Sequence, residues 1–135
     1  MILVWNDKEY KLNYAKFKSR SARLGKSEIH LECRDLLNQM LMGYGIYEEV
    51  TLPGCNLYAD FFIPGLRLVV EVHGRQHYEY VNFFHKTKAN FLMSKKRDKT
   101  KAEFCMVNDL SLAILPYNEK EKWNQIIVQS MESQI

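Results

Sequence analysis

Residues 60–77 read DFFIPGLRLVVEVHGRQH. Asp60 and Glu71 stand 11 positions apart. Each lies in an apolar run with the character of a buried strand, and Pro64-Gly65 supplies the turn between the two runs. A chain gains nothing by placing bare carboxylates in an apolar hairpin, because burying a charge is costly unless something compensates it. The compensators are a divalent cation or a dedicated basic partner. In a basic chain, the cation points to phosphodiester chemistry.

Outward from this stretch the pattern predicts three consecutive strands, at 47–52, 56–63 and 67–73, with Pro53-Gly54 and Pro64-Gly65 at the turns. Before them, Ser27 can cap a helix running to about Met42. Its apolar face is Ile29, Cys33, Leu36, Leu37, Met40 and Leu41, at helical spacing, and Gly43 and Gly45 end it. After them comes a polar, aromatic loop over 74–85 and a basic helix over 86–106. Asn108-Asp109 breaks that helix, and Leu110 to Leu115 reads as a fourth strand. Beyond Pro116, residues 119–133 form a closing helix with Trp123, Ile126, Ile127 and Met131 on one face. At the start, Ile2 to Trp5 and Tyr10 to Leu12 read as a small hairpin around Asn6-Asp7, followed by a basic, irregular stretch over 15–26. The order is helix, three-strand meander, helix, strand, helix, which is a mixed α/β sandwich. The 135 residues suit one domain: a basic N-terminal hairpin and arm over 1–26, a core over 27–117 and a C-terminal helix over 119–133.

Composition excludes several classes. Apolar content of 47% and charged content of 26% are those of a globular domain. No apolar run approaches the ~18 residues of a membrane span, and the opening Met1-Ile-Leu-Val-Trp-Asn-Asp lacks the charged start and long apolar stretch of a secretory signal. Cys33, Cys55 and Cys105 are odd in number and widely spaced, which argues for a reducing compartment and against a disulfide framework or a cysteine zinc knuckle. The net charge of +3 hides a segregation. Residues 1–26 carry +5 and residues 85–101 carry +6, so the rest carries −8. Clustered positive charge is the footprint of a polyanion ligand; a solvated lysine-rich surface is the plainer alternative.

Asp60 and Glu71 are expected near facing ends of adjacent strands, where their carboxylates can share Mg²⁺, a cation that takes hard oxygen ligands. The Val72 carbonyl is the third candidate ligand. The competing reading is structural, with the carboxylates bonded to Arg67 or Arg75. Glu28, in the first turn of the first helix, reads first as a complement to the helix dipole and second as a ligand acting through water. His73 and His77 titrate near neutrality and are candidates for proton transfer. Their i, i+4 spacing would suit zinc on a helix, but Gly74 argues against a helix there. His30 and His85 read as ordinary surface or core histidines. Arg75, Lys88, Lys95, Lys96 and Lys101 are the candidate contacts to backbone phosphates. Tyr78, Tyr80, Phe83 and Phe84 interleave with them; they would either stack on bases or, the favoured reading, mostly pack their loop onto the core.

Asp60 followed by Glu71-Val72-His73 on the next strand resembles the PD-(D/E)XK nuclease core, with Glu28 at the position of its helical glutamate. The usual catalytic lysine falls at residue 73, which is histidine here. That departure resembles the very-short-patch-repair endonuclease branch and related phage homing endonucleases, in which histidines just after the second catalytic strand do work done elsewhere by lysine. LVVEVHGRQH is also similar to the EVDGxxH-type string of small nuclease domains of that branch. Asp98 with Lys101, followed by Leu112-Ala-Ile-Leu, is loosely similar to their later Asp/Arg helix and closing strand. The resemblance covers about residues 27–117. It implies a restriction-endonuclease-like core and a Mg²⁺-dependent DNA endonuclease, with Mn²⁺ as a substitute, acting on double-stranded or branched DNA. It also implies a cytoplasmic setting in a bacterial cell or phage-infected host, and a symmetric homodimer wherever both strands are cut. An inert DNA-binding module with a nuclease fold, a junction-resolving nuclease and an RNA-processing nuclease are the alternatives.

Overall fold

A computed structural model describes residues 1–17, 27–81 and 85–132. Phe83, Phe84 and the basic residues Lys18, Arg20, Arg23 and Lys26 lie outside the described residues. The described elements are a hairpin, β1 (Ile2–Trp5) and β2 (Lys8–Lys11); helix α1 (Glu28–Met40); strands β3 (Tyr47–Leu52), β4 (Leu57–Ile63) and β5 (Leu68–His73); helix α2 (Lys88–Val107); strand β6 (Ser111–Pro116); and helix α3 (Trp123–Glu132). The four longer strands form one sheet in the order β3-β4-β5-β6. The first three are antiparallel, and β6 runs parallel to β5. This is the mixed four-stranded sheet with flanking helices and a small N-terminal hairpin that the sequence pattern predicts. Among the described residues no helix is long and apolar enough to cross a membrane.

Local chemistry sets the boundaries. Asn6 and Asp7 both adopt positive φ, 50° and 63°, the pair a tight hairpin turn demands and that Asn and Asp tolerate. Ser27 caps α1, its hydroxyl accepting from the His30 amide at 3.2 Å. Thr87 caps α2 in the same way through the Asn90 amide, so that helix starts at Lys88 rather than 86. The β4–β5 connection is a 3-10 turn over Pro64–Leu66, and Arg67 (φ 47°) takes the left-handed position. Strand β5 therefore begins at Leu68.

The sheet separates two cores. On one face Cys33, Leu37 and Leu41 pack against Phe61, Ile63, Val70, Leu115 and Ile127; this core joins α1 and α3 to the sheet. On the other, Leu3 and Leu12 of the hairpin region meet Val50, Phe62, Val69 and Phe104, joining the hairpin and the end of α2. Asn108 locks that second layer. Its Oδ1 accepts from the Val4 amide at 2.7 Å, and its Nδ2 donates to the Val4 and Phe104 carbonyls, each at 2.9 Å.

One irregularity shapes the site. Tyr47 and Val50, three apart, pack toward the same core, and so do Ala59 and Phe62. A regular strand keeps i, i+2 and i+4 on one face, so one residue on each strand is out of step. Glu49 has φ 51°, and the pairing passes over Glu49 and Asp60: Glu48 pairs with Phe61 and Val50 with Ala59. On the other side of β4, the ladder to β5 ends at Phe61 opposite Val70. Asp60 and Glu71 are the first pair beyond that end, where the strands part.

Candidate active site

Where the β4–β5 ladder stops, side chains replace its backbone bonds. The Asp60 amide donates to Glu71 Oε2 at 2.7 Å, and the Val72 amide donates to Asp60 Oδ2 at 2.8 Å. The two carboxylates thus hold each other's strands. Lys101 reaches over from α2 and donates from Nζ to Glu71 Oε1 at 2.6 Å. A cleft of about 200 Å³ opens here, lined by Ser27, Ile29, His30, Asp60, Glu71, Val72, Gly74, Gln76, His77 and Lys101.

The electrostatics follow from burial. Glu71 is 2% exposed. Burial first, then the charge of Asp60, push its carboxyl up to about 7 against the pull of Lys101. Burial also raises Asp60, against the Val72 amide and the charges of Lys101, His30 and His77. In this hydrogen-bonded cluster two carboxyl groups share one ammonium, so once both are ionised one negative charge is left without a counter-charge within the cluster.

The histidines form a second layer beside the pair. His73 and His77 stack with centroids 4.0 Å apart and planes 11° from parallel. His73 is buried; desolvation, then the neighbouring His77, lower its pKa to about 4, so it is neutral at physiological pH. His77 Nδ1 lies 3.0 Å from Asp98 Oδ2 on α2. Burial raises Asp98, but the hydrogen bond and charge of His77, with His73 and Lys101, outweigh it and hold the carboxyl below its usual range. An ionised carboxylate can only accept, so Nδ1 carries the proton and Nε2 is left as the free ring nitrogen.

Several expectations need correction. The partner of the carboxylates is neither Arg67 nor Arg75. Arg67 is turned to the Asn108 and Asp109 carbonyls at the end of α2, and Arg75 pairs with Glu79 in solvent. Lys101, expected on DNA phosphates, is instead drawn onto Glu71. Glu28 is exposed at the first turn of α1 and is not among the residues lining the cleft; its place fits the helix-dipole reading. Tyr78 and Tyr80 are not packed into the core, being 44% and 38% exposed. Lys88, Lys95 and Lys96 are exposed on α2, with the Lys95 ammonium 5.5 Å from the Tyr78 ring centre.

His30 is buried but does more than fill the core. It stacks on Phe61 at 4.5 Å and borders the cleft. Its Nε2 lies 2.6 Å from Glu48 Oε1, while Arg34 bonds both oxygens of the same carboxylate, at 2.9 and 3.0 Å. The available signal was three ionisable residues at positions the fold buries, His30 and Arg34 on the inner face of α1 and Glu48 on an edge strand. For Lys101 and Asp98 the signal was their i, i+3 spacing, which puts both on one helix face.

The matched relatives are viral. A 66-residue segment, 49% of this chain and 34% of the relative, is 39% identical to uncharacterized protein 307L of Invertebrate iridescent virus 6. Over 69 residues the chain is 38% identical to uncharacterized protein 033L of Invertebrate iridescent virus 3, covering 36% of it. It is 36% identical to uncharacterized protein 094L of Frog virus 3, covering 44% of that protein. The chain therefore spans about a third to under half the length of the curated relatives it matches. No protein-family model matches it, and no solved structure does.

Proposed function

We propose that the chain is a Mg²⁺-dependent endonuclease that hydrolyses phosphodiester bonds in DNA, with Mn²⁺ able to substitute. The observation that carries this reading is the Asp60–Glu71 pair: a half-buried and a buried carboxylate at one cleft, held in place by each other's strands and bonded to a single ammonium. Their hard oxygen donors suit Mg²⁺, and the uncompensated negative charge is what a divalent cation would cover. Asp60, Glu71 and the Val72 carbonyl are the residues that would hold it. Such an ion lowers the pKa of a bound water and neutralises charge on the phosphate.

The remaining roles belong to the chain's own groups. In hydrolysis a water oxygen bonds to phosphorus, the bridging P–O bond breaks, and the leaving oxygen takes up a proton. His77, oriented by Asp98 through Nδ1, exchanges that proton at Nε2. His73 stacks on the imidazole and fixes its plane while remaining neutral itself. Lys101 supplies the positive charge that residue 73 does not. Lys88, Lys95 and Lys96 on α2, with Arg75, meet backbone phosphates. One centre cuts one strand, so a double-strand break takes two copies, most simply a homodimer. Its proposed place of action is an infected host cell, a setting the viral origin of the matched relatives supports.

A DNA-binding module without catalysis is the second reading, and the Lys101–Glu71 ion pair is the observation that favours it, since an ammonium can stand where a metal would act. Nicking of supercoiled plasmid in Mg²⁺ separates the two. The enzyme reading expects the wild type to nick and Asp60→Asn to lose at least about 100-fold of that activity. If both proteins bind the plasmid and neither nicks it, the module reading stands instead. Four-way junctions tested beside linear duplex, and competition by structured RNA, identify the preferred substrate.

A further inference from the structure

His73, His77 and Asp98 come from three different elements: the end of β5, the 3-10 turn at 75–77 and the middle of α2. Each offers one ligand atom, two imidazole nitrogens and a carboxylate oxygen, and these atoms all lie within 4.8 Å of one another. We propose that this triad is a second metal site, selective for a borderline transition ion such as Zn²⁺ or Co²⁺ and separate from the oxygen-donor pair at Asp60 and Glu71. The donor set decides the selectivity. Imidazole nitrogen suits zinc and cobalt, whereas Mg²⁺ prefers carboxylate, carbonyl and water oxygens.

The spacing of the donor atoms is near what such an ion needs. Bonds of about 2.0–2.2 Å to nitrogen and oxygen in a tetrahedral site place ligand atoms roughly 3.3–3.6 Å apart. His77 Nδ1 and Asp98 Oδ2 are already at 3.0 Å, sharing a proton that the ion would replace. An ion sits in the plane of each imidazole that binds it, so joining the third donor requires one histidine ring to turn out of the His73–His77 stack. The positions are held from the backbone: the His73 carbonyl accepts from the Tyr117 amide at 2.8 Å, and the His77 amide donates to the Gly74 carbonyl at 3.1 Å. Three protein ligands leave a fourth position for water. Lys95 and Lys101 flank the site and oppose a cation, which sets the affinity below that of a closed structural zinc centre. An ion bound here ties β5 to α2 and takes the His77–Asp98 pair out of proton exchange, so Zn²⁺ stabilises the fold and inhibits any cleavage that depends on His77.

Co²⁺ titration of the whole protein, followed by the visible absorption of the four-coordinate ion and reversed by Zn²⁺, tests this. Wild type and the Asp60→Asn/Glu71→Gln double variant are expected to develop the absorption of one four-coordinate equivalent alike, apart from any ion the oxygen-donor pair takes. His77→Ala and Asp98→Asn are expected to weaken binding at least 10-fold, and the Tm rise that Zn²⁺ gives the wild type disappears in both. Circular dichroism of the two variants checks that they fold, and Asp98→Asn alone, half-buried on an exposed helix, decides the matter if His77→Ala does not. Binding that survives both triad substitutions, that is lost in the Asp60/Glu71 variant, or that is absent from the wild type overturns the proposal. Because the readout is binding of the ion and not cleavage, its failure leaves the endonuclease reading untouched, and failure of the plasmid assay leaves this one untouched.

Discussion

Helices α1 and α2 lie on opposite faces of the sheet and are held there by different means. Helix α1 buries five of its 13 residues, His30, Leu31, Cys33, Arg34 and Leu37, and is fixed by an apolar stripe at helical spacing. Helix α2 is longer, 20 residues, yet buries only Phe104 and Cys105 near its end. The rest of α2 is attached by the ring of Phe91 against His85 and Tyr80 near its start and by polar contacts, Lys101 to Glu71 and Asp98 to His77, with the capping Asn108 bonded to the hairpin. The difference teaches that α1 carries stability whereas α2 carries charge and completes the site. A basic helix seated by its last turn keeps its exposed lysines free for a ligand.

Two substitutions on the two helices should therefore behave in opposite ways. Leu37→Ala removes a fully buried side chain and is expected to cost about 2–5 kcal/mol, measured by urea unfolding. The paired change Lys95→Ala/Lys96→Ala is expected to leave stability within about 0.5 kcal/mol. It should instead lower the slope of log affinity for DNA against log salt by about 0.9 per lysine. A slope unchanged by the lysine pair, or a soft response to Leu37→Ala, would break the division of labour.

The junction between the two roles is Lys101. Lys101→Met removes the counter-charge of a buried carboxylate, and the loss should be about 1–3 kcal/mol at pH 8. The sign with pH follows from Glu71, whose carboxyl sits at about 7 in the fold, above its unfolded value. Its protonated form is the one the fold favours, so below about pH 7 Glu71 is neutral and needs the ammonium less. The penalty of Lys101→Met should therefore shrink as pH falls from 8 toward 5. Equal penalties at the two pH values would mean that Lys101 acts by packing its alkyl stem, not by charge.

The elements were largely legible because their signals are local. Apolar runs between Pro-Gly turns mark β3 to β5, Ser27 caps α1, and Asn6-Asp7 makes the hairpin turn. Strand boundaries moved by a residue at the starts of β4 and β5 and at both ends of β6; at β5 the cause is the left-handed Arg67, which takes the end of the turn. The candidate site was legible in part. Asp60 and Glu71 meet because the register of one hairpin already places residue 60 opposite 71. Lys101, 30 residues beyond Glu71, and Asp98, 21 beyond His77, arrive by docking of α2, which no local pattern encodes. Glu28 shows the converse: it sits at the helix start as expected, but the N-terminal turn presents Ser27, Ile29 and His30 to the cleft instead. The slip in alternation at Glu49 and Asp60 was also hidden, since it depends on a backbone torsion that a glutamate rarely adopts.

The central claim is a divalent cation bound between Asp60 and Glu71, and calorimetric titration with Mn²⁺ at pH 8, after blocking the histidine cluster with Asp98→Asn, tests it most directly. The account predicts one ion per chain, with binding lost when Asp60→Asn or Glu71→Gln is added. Absence of binding, or binding that persists undiminished after either substitution, would contradict it.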